Sequence, residues 1–343
     1  MKRNKGIDYL RGIFILLIFL SHSNEFEVIG SQSIWGAAGV TGFFALSGFL
    51  CYHNYESSEQ KDKLWRECVK SIKVFLKKFY PLYFAILCIY AFVRPGSYTD
   101  FIKCIFLTQS YWGSIDVAMS FNGNAWFLSS LTLCYIVGPI LNKIIKKLHL
   151  ANIVILMFGA YIIQLFMSIF LSKSDFNIGY YWVYISPAVR LIDFFEGMLL
   201  RRFLRESRIT DGKLSHDTEG RQTYILGGGV KAITFTLYFT QLLIANYIPI
   251  KLVQYNAVWV PSTLLLIIIF FKAYSRNISN LPCNKIIEKC GQLSFEIFLC
   301  HRLVLIEVEK IDNGLCAWIL ALGISVVTSF AVHNILQIKS SYN

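Results

Sequence analysis

The sequence predicts an all-α integral membrane protein: one bundle of about ten transmembrane helices, with both termini in the cytoplasm. Two observations predict this class. The chain of 343 residues is 55% hydrophobic and 16% aromatic, and apolar runs of roughly 17 to 25 residues, the length that crosses a bilayer, recur along it. Its basic residues also collect in alternate loops, as membrane insertion requires. We therefore expect a multi-pass protein of the cell membrane.

Ten apolar runs qualify as spans by length. Residues 101–112 are apolar but too short to cross, which predicts an interfacial or re-entrant segment. The first run has the basic flank of a secretory signal, but Arg11 interrupts its core and no small-x-small cleavage site follows, so we expect it to remain as the first helix. No soluble domain is indicated, so residues 1–343 are predicted to form a single membrane domain. The predicted spans are 7–25, 34–54, 79–94, 125–142, 150–172, 180–200, 226–248, 254–272, 292–308 and 315–336.

Lysine and arginine indicate the orientation, because cytoplasmic loops retain positive charge. With the N-terminus inside, 25 of the 33 basic residues fall in cytoplasmic segments. The outer loops hold five, and Arg11, Arg190 and Arg302 lie within spans. This asymmetry accounts for the net charge of +12 without a nucleic-acid partner. The five outer residues are Arg94, Lys103, Lys173, Lys251 and Lys310.

The nine cysteines stand mostly singly in apolar runs, without a Cys-x-x-Cys pair and without histidines at ligand spacing. That pattern predicts neither a disulfide framework nor a metal site. No permanently bound cofactor is expected.

The first span carries Arg11 and His22 inside an otherwise apolar run. Eleven residues of helix are three turns plus roughly 20°, with a rise of about 16 Å, so the two side chains share one stripe at two depths. Charged groups at membrane depth are costly and usually face a cavity or a partner. Two interpretations stay open: a polar path through the bundle, or an Asp8–Arg11 pair at i,i+3 with His22 bonded to a neighbouring helix.

Two further spans carry ionisable groups at intermediate depth. Arg190 follows Pro187 by one turn and has Asp193 and Glu196 at i+3 and i+6, so an internal ion pair is one interpretation. His301 lies about midway along the ninth span. Two arginines and two histidines at complementary depths predict a polar tunnel. We expect positions 11, 22, 190 and 301 to converge on one cavity open to the cytoplasm.

These residue types suit proton transfer at a hydroxyl group and the binding of a phosphate-bearing donor. A neutral imidazole has an unperturbed pKa near physiological pH, so His22 can take a proton from a hydroxyl and return it to a leaving group. The planar fork of arginine matches phosphate. Coenzyme A, with a phosphorylated head and a long arm that ends in a thioester, fits the separation between the inner arginine and the histidine.

Five segments together resemble the acyltransferase family 3 membrane proteins. They occur in the family's order across nearly the whole chain, and each is weak alone. The first has arginine and histidine separated by ten residues. The segments are "IDYLRGIFILLIFLSHS" (7–23), "GVTGFFALSGFL" (39–50), "AWFLSSLTLCY" (125–135), "PAVRLIDFFEGMLL" (187–200) and "LSFEIFLCH" (293–301).

The resemblance implies an integral O-acyltransferase that moves an acyl group, usually acetyl, from cytoplasmic acyl-CoA to a hydroxyl of a surface glycan or exopolysaccharide. Arg11 and His22 inherit the roles of essential residues, and His301 is assigned to catalysis with them. Arg11 and Arg190 are expected to bind acyl-CoA, with Asp8 and Glu196 as structural support. The expected partners are acyl-CoA, a glycan or lipid-linked sugar, the lipid bilayer and glycan-assembly proteins.

One segment departs from the family pattern. The family commonly has arginines before the "PLY" that opens the third span, whereas this chain reads "FLKKFYPLY". Lys77 and Lys78 keep the charge and are expected to contact acyl-CoA, but they lack the fork of arginine.

Two other residues have competing interpretations. Ser47 is either a nucleophile or one of several small residues that let helices approach closely in lipid, and packing is favoured because no histidine stands beside it in its span. Trp126, assigned to substrate binding, either stacks on sugar at the outer mouth or belongs to the interfacial aromatic belt.

The competing function is a transporter that exports a glycan or its precursor. Intramembrane arginine and histidine also mark substrate pathways and proton relays. Against this function, the two halves of the chain show no visible repeat and few paired Gly or Pro breaks. The sequence therefore favours the enzyme.

Overall fold

The computed structural model describes residues 4–22, 33–57, 63–93, 96–210, 215–216, 222–223, 228–272, 284–310 and 315–341. These residues are almost entirely helical. The exception is an antiparallel pair of two-residue strands, β1 (Ser215–His216) and β2 (Gln222–Thr223), within the long loop after the sixth predicted span. The all-helical prediction is confirmed at this level.

Fifteen α-helices follow one another in the described part of the chain. Short 3-10 turns lie at Gln109–Tyr111, Ala245–Tyr247 and Ala257–Trp259, and one π-helical segment at Tyr181–Ile185. The helices are α1 Lys5–Leu20, α2 Ser33–Ser57, α3 Leu64–Val93, α4 Tyr98–Ile105, α5 Ile115–Ala118, α6 Trp126–Ile145, α7 Leu150–Leu171, α8 Phe176–Tyr180, α9 Pro187–Thr210, α10 Gly228–Ile244, α11 Lys251–Gln254, α12 Val260–Lys272, α13 Asn284–Gln292, α14 Ser294–Glu309 and α15 Leu315–Ser341.

Each predicted span overlaps one of these helices, but only three described segments are long and apolar enough to be candidate membrane spans. They are Ile34–Tyr52, Trp126–Ile145 and Leu150–Leu171. Two shorter apolar helical stretches are also present, Ala257–Phe271 and Trp318–Val332, and α1 has 16 residues. The count of ten spans and the cytoplasmic location of both termini stay predictions.

Two helices begin seven or more residues away from the predicted start of their span. Helix α3 begins at Leu64 instead of 79, because its lysine-rich first half still buries Ser71 and Phe75 on one face. Helix α9 begins at Pro187 instead of 180, because residues Tyr181–Ile185 form a π-helical segment that Ser186 caps. Proline suits the first helical position, where no intrahelical donor is needed, and the Ser186 hydroxyl accepts from the Ala188 N–H at 3.3 Å.

The chain divides into two compact units. The first comprises residues 1–40, 225–247 and 265–343, and the second comprises 41–224 and 248–264. Helices α2 and α12 contribute residues to both. The single domain over 1–343 stays a prediction.

In the first unit, α1 packs against α13 through two glycines. A Cβ on Gly291 would overlap the carbonyl oxygen of Asp8 and lie 2.8 Å from the Gly12 nitrogen, and a Cβ on Gly12 would overlap the Ile287 carbonyl. The absence of side chains lets the two backbones touch, as small residues do in lipid-embedded bundles. This contact holds α1 against α13 at Gly12, the residue next to Arg11.

In the second unit, the segment between α4 and α6 is held by hydroxyl groups. Ser129 donates to the Leu107 carbonyl at 2.7 Å, and Tyr83 donates to the Cys104 carbonyl at 2.7 Å. Leu107 has a φ of 54°, an uncommon conformation for a residue with a side chain. Irregular backbone at membrane depth needs such protein partners. The predicted stretch 101–112 is thus a short helix and a turn anchored to α3 and α6.

The α1–α13 contact predicts opposite effects for two glycine substitutions in the first unit. Gly291→Ala should lower the apparent melting temperature of the detergent-purified protein, because the Asp8 backbone must retreat, at a cost of about 1 to 3 kcal/mol. Gly323→Ala on α15 is the control, since nothing lies within 4 Å of its Cβ position, and it should be neutral or slightly stabilising. Thermal unfolding followed by intrinsic fluorescence compares them. Equal melting temperatures for the two variants would contradict the contact.

Candidate active site

Two histidines of the first unit meet at the end of α1. His22 follows the helix C-cap Ser21, and its N–H donates to the Phe19 carbonyl at 3.2 Å. His301 lies in the middle of α14 and is completely buried. The ring centroids are 5.2 Å apart with an interplanar angle of 68°, an edge-to-face arrangement. The structure therefore brings together two of the three predicted catalytic residues.

Both imidazoles are anchored through the same nitrogen. Nδ1 of His22 lies 2.8 Å from the Ile18 carbonyl oxygen, and Nδ1 of His301 lies 2.9 Å from that of Ile297. A carbonyl oxygen only accepts, so each Nδ1 carries the proton in these bonds. In the neutral ring the lone pair is then on Nε2. Each bond is made four residues back along the histidine's own helix, so it also fixes the ring orientation.

Aromatic side chains surround His301. Phe19 and Phe298 have ring centroids 5.9 Å and 6.2 Å from the His301 ring, and Phe19 packs against Trp318 at 5.4 Å. Apolar walls exclude water and strengthen the electrostatic interactions of the groups inside them. An anchored imidazole in such surroundings is suited to general acid–base chemistry.

Arg11 lies half-buried on α1 beside a buried acid. Its Nη1 is 3.4 Å from Oδ1 of Asp8, and the two side chains are 30% and 2% exposed. The i,i+3 pair that the sequence raised as one interpretation is present. Asp8 orients the guanidinium, whose exposed part can meet a ligand.

Arg190 belongs to the second unit and forms a buried ion pair with Asp193. Its Nη1 is 2.6 Å from Oδ2 of Asp193, and both side chains are fully buried. Nε donates to the Tyr184 carbonyl at 2.6 Å, and Nη1 also donates to Thr41 Oγ1 at 3.2 Å. The internal ion pair raised by the sequence is therefore present. Convergence of Arg190 with positions 11, 22 and 301 on one cavity stays a prediction.

Three aromatic rings lie around the Arg190 guanidinium. Its Cζ is 4.8 Å from the Tyr184 ring centroid, 5.6 Å from that of Phe44 and 5.8 Å from that of Trp126. Such contacts add cation–π stabilisation to a desolvated charge. Trp126 is only 4% exposed and packs on Tyr184 and Arg190, a contact that neither interpretation from the sequence included.

The acids of α9 have different environments. Asp193 also accepts a hydrogen bond from Gln164 Nε2 at 3.0 Å. Glu196 is 1% exposed, and within the described chain its carboxyl oxygens have no hydrogen-bond partner. Nη2 of Arg190 likewise has no acceptor among the described residues. If Arg190 contacts acyl-CoA as predicted, Nη2 is the nitrogen that would make the contact. That role stays a prediction.

The remaining predicted residues lie elsewhere in the second unit. Lys77 and Lys78 are exposed on α3, with the Lys78 ammonium 4.7 Å from the Phe79 ring centroid. Ser47 is half-buried. A Cβ on the next residue, Gly48, would overlap the Phe194 carbonyl. This close approach of α2 to α9 supports the packing role of the small residues around Ser47.

The sequence interpretation missed four residues of the Arg190 cluster: Thr41, Gln164, Tyr184 and Asn256. Asn256 is buried, and its Oδ1 accepts from Thr41 at 3.3 Å. Gln164 and Asn256 had a usable signal, because amides within apolar runs need partners. Tyr184 contributes its backbone carbonyl and its ring, and neither contact can be predicted from the residue type alone. Within the described part of the chain, no group of three or more His, Cys, Asp or Glu residues is arranged to hold a metal ion.

The anchored histidine pair and the partly exposed Arg11 are ionisable groups on apolar helices, and such groups commonly mark functional sites. The comparison with protein families identifies the class. The model of acyltransferase family 3, described as an acyltransferase domain, matches residues 4–334. The chain belongs to this family, and it is a membrane acyltransferase. No curated protein and no solved structure matches the chain significantly.

The Arg190–Asp193 pair predicts a large loss of stability when one partner is neutralised. Asp193→Asn leaves a buried guanidinium without its counter-ion and should cost about 3 to 5 kcal/mol. Asp100→Asn is the control, because the Lys103–Asp100 pair has the same i,i+3 spacing and its side chains are 21% and 22% exposed. That change should cost less than about 1 kcal/mol. Thermal unfolding in detergent measures both, and similar losses would argue against a structural role of the buried pair.

Proposed function

We propose that this membrane acyltransferase transfers an acetyl group from cytoplasmic acetyl-CoA to a hydroxyl of a cell-surface glycan or exopolysaccharide. The observation that carries the proposal is the pair of His22 and His301, each anchored through Nδ1 at an apolar wall. Membership of the acyltransferase family supports the reaction type. In this proposal the protein is a multi-pass protein of the cell membrane with ten spans and both termini in the cytoplasm.

The proposed reaction begins with a proton transfer to His22. Nε2 of His22 takes the proton of the acceptor hydroxyl while the hydroxyl oxygen attacks the thioester carbonyl carbon. The new C–O bond forms, the C–S bond breaks, and the coenzyme A sulfur receives the proton from the imidazolium. His301 lies edge-to-face with His22 and acts as the second ring of the site. No cofactor remains bound after turnover, because acetyl-CoA is a substrate.

The donor is proposed to bind through its phosphate groups. Arg11 is suited to this because Asp8 orients its guanidinium while the side chain stays 30% exposed, and a planar fork grips phosphate better than a point charge. Lys77 and Lys78 are exposed cations that add to the same attraction. Trp126 and Arg190 remain candidates for substrate contacts at their buried cluster.

Removal of His22 should abolish most acetyl transfer while the protein still folds. A positioned acid/base contributes about 10² to 10⁴ in rate, so His22→Ala should lose that factor. His149→Ala is the control, since this exposed histidine precedes α7 and has no assigned role. The assay follows label from acetyl-CoA into a sugar acceptor, with unfolding temperature as the check on folding. If His22→Ala kept near wild-type transfer, another residue would be the general base, and His301 would be tested next.

Removal of Arg11 should weaken donor binding. Arg11→Ala is expected to lose about 1.5 to 3 kcal/mol of acetyl-CoA affinity, the range for a hydrogen bond to a charged group. Arg11→Lys should recover only part, because an ammonium cannot make the bidentate contact. Calorimetry on the purified protein measures both, with Lys147→Ala as a control for lost charge. If the wild-type protein neither binds acetyl-CoA nor transfers its label, the proposed donor is wrong.

A further inference from the structure

The first half of α3 presents a straight stripe of exposed cations. Lys63, the residue before the helix, is followed by Arg66, Lys70, Lys73 and Lys77, and all five are exposed. Steps of three and four residues keep successive side chains on one face, here within an arc of about 80°. Fourteen residues of helix make this stripe about 21 Å long.

A second stripe on the same half-helix is apolar and exposed. Trp65, Val69 and Leu76 are spaced at i, i+4 and i+11, so they also share a face. Their exposed fractions are 60%, 38% and 37%. The third face is the packed one, where Phe75 is fully buried with its ring centroid 4.9 Å from that of Tyr135 on α6. The apolar stripe is thus additional to the packing face.

No acid neutralises the cationic stripe from its own helix. Between Lys63 and Lys78 the single acid is Glu67, and its carboxyl oxygens are buried. At the N-terminal end the Arg66 guanidinium lies 5.6 Å from the Trp65 ring centroid. A cation in contact with an exposed tryptophan thus links the two stripes, and tryptophan is enriched at membrane–water interfaces.

We propose that the cationic stripe binds the phosphate groups of anionic phospholipids in the cytoplasmic leaflet, while Trp65, Val69 and Leu76 contact the upper acyl chains. The proposal rests on the proposed topology, in which residues 55–78 are cytoplasmic. A helix with basic and apolar faces side by side is suited to the bilayer interface, and clusters of four or more basic residues beside a span attract anionic lipid. A soluble phosphate donor would use the cations but would leave the apolar stripe uncovered.

The test measures lipid affinity in detergent-purified full-length protein. Short-chain phosphatidylglycerol and short-chain phosphatidylcholine are titrated while bound lipid is counted by native mass spectrometry. The stripe variant is Lys63→Gln/Lys70→Gln/Lys73→Gln, which leaves Lys77 and Lys78 in place. The control variant, Lys5→Gln/Lys147→Gln/Lys285→Gln, removes the same charge from three exposed lysines at other sites of the chain.

The stripe variant should lose phosphatidylglycerol affinity by about fivefold per lysine at low salt, whereas the control variant should lose little. Phosphatidylcholine binding should be equal in all three proteins, and added salt should erase the difference. Equal losses in both variants would overturn the proposal, because they would reflect net charge alone. A stripe variant that loses acetyl-CoA affinity but keeps its lipid affinity would also overturn it. Since lipid binding is read without turnover, the result is independent of whether acetyl transfer is the activity.

Discussion

Hydrocarbon supplies no hydrogen-bond partners, so a buried polar group inside an apolar bundle is costly unless the chain itself supplies its partner. The second unit supplies most of these partners around Arg190, although Nη2 has no acceptor among the described residues. A carboxylate, a backbone carbonyl, a hydroxyl and three ring faces surround the guanidinium, and the pair is fully buried. The same constraint holds the irregular segment before α6, where the hydroxyls of Ser129 and Tyr83 satisfy carbonyl groups. The polar side chains thus decide which backbone irregularities the fold can contain.

The histidines of the first unit meet the same constraint differently. Each Nδ1 bonds to a carbonyl of its own helix, so the bond orients the ring without recruiting a neighbouring helix. Arg190, in contrast, donates hydrogen bonds through two of its nitrogens to partners from several elements. A group fixed on many sides is suited to stability, whereas the His22 ring, anchored through Nδ1, has Nε2 as the nitrogen for proton transfer. This difference is why the proposed chemistry rests on His22 and not on the arginine cluster.

The sequence predicts much of this because burial of an ionisable residue in lipid requires a reason. The helical class, the approximate positions of the main helices, the Asp8–Arg11 pair and the Arg190–Asp193 pair all follow from local spacing. The partners that come from distant segments do not. Thr41 lies 149 residues from Arg190, and the Tyr184 carbonyl becomes available only because a π-helical segment precedes α9. The early start of α3 was not predicted, because its first half is rich in exposed lysines and does not form an apolar run. The residues on its buried face nevertheless have ordinary helical spacing.

The geometry of α1 is set by two consecutive helices. Near Arg11, the Gly12 and Gly291 contact joins α1 to α13. Near its other end, His22 meets His301 of α14. A single residue, Leu293, separates α13 from α14, and it is buried. Because α13 and α14 are so closely joined, a slide of α1 along them would displace Arg11 and His22 together. Helical rise sets most of the separation of about 16 Å between the backbones of these two residues, although His22 lies two residues beyond the end of α1. The glycine contact holds α1 against α13. The backbone separation between the proposed donor-binding residue and the proposed base is therefore set by helix packing and does not depend on side-chain rotamers.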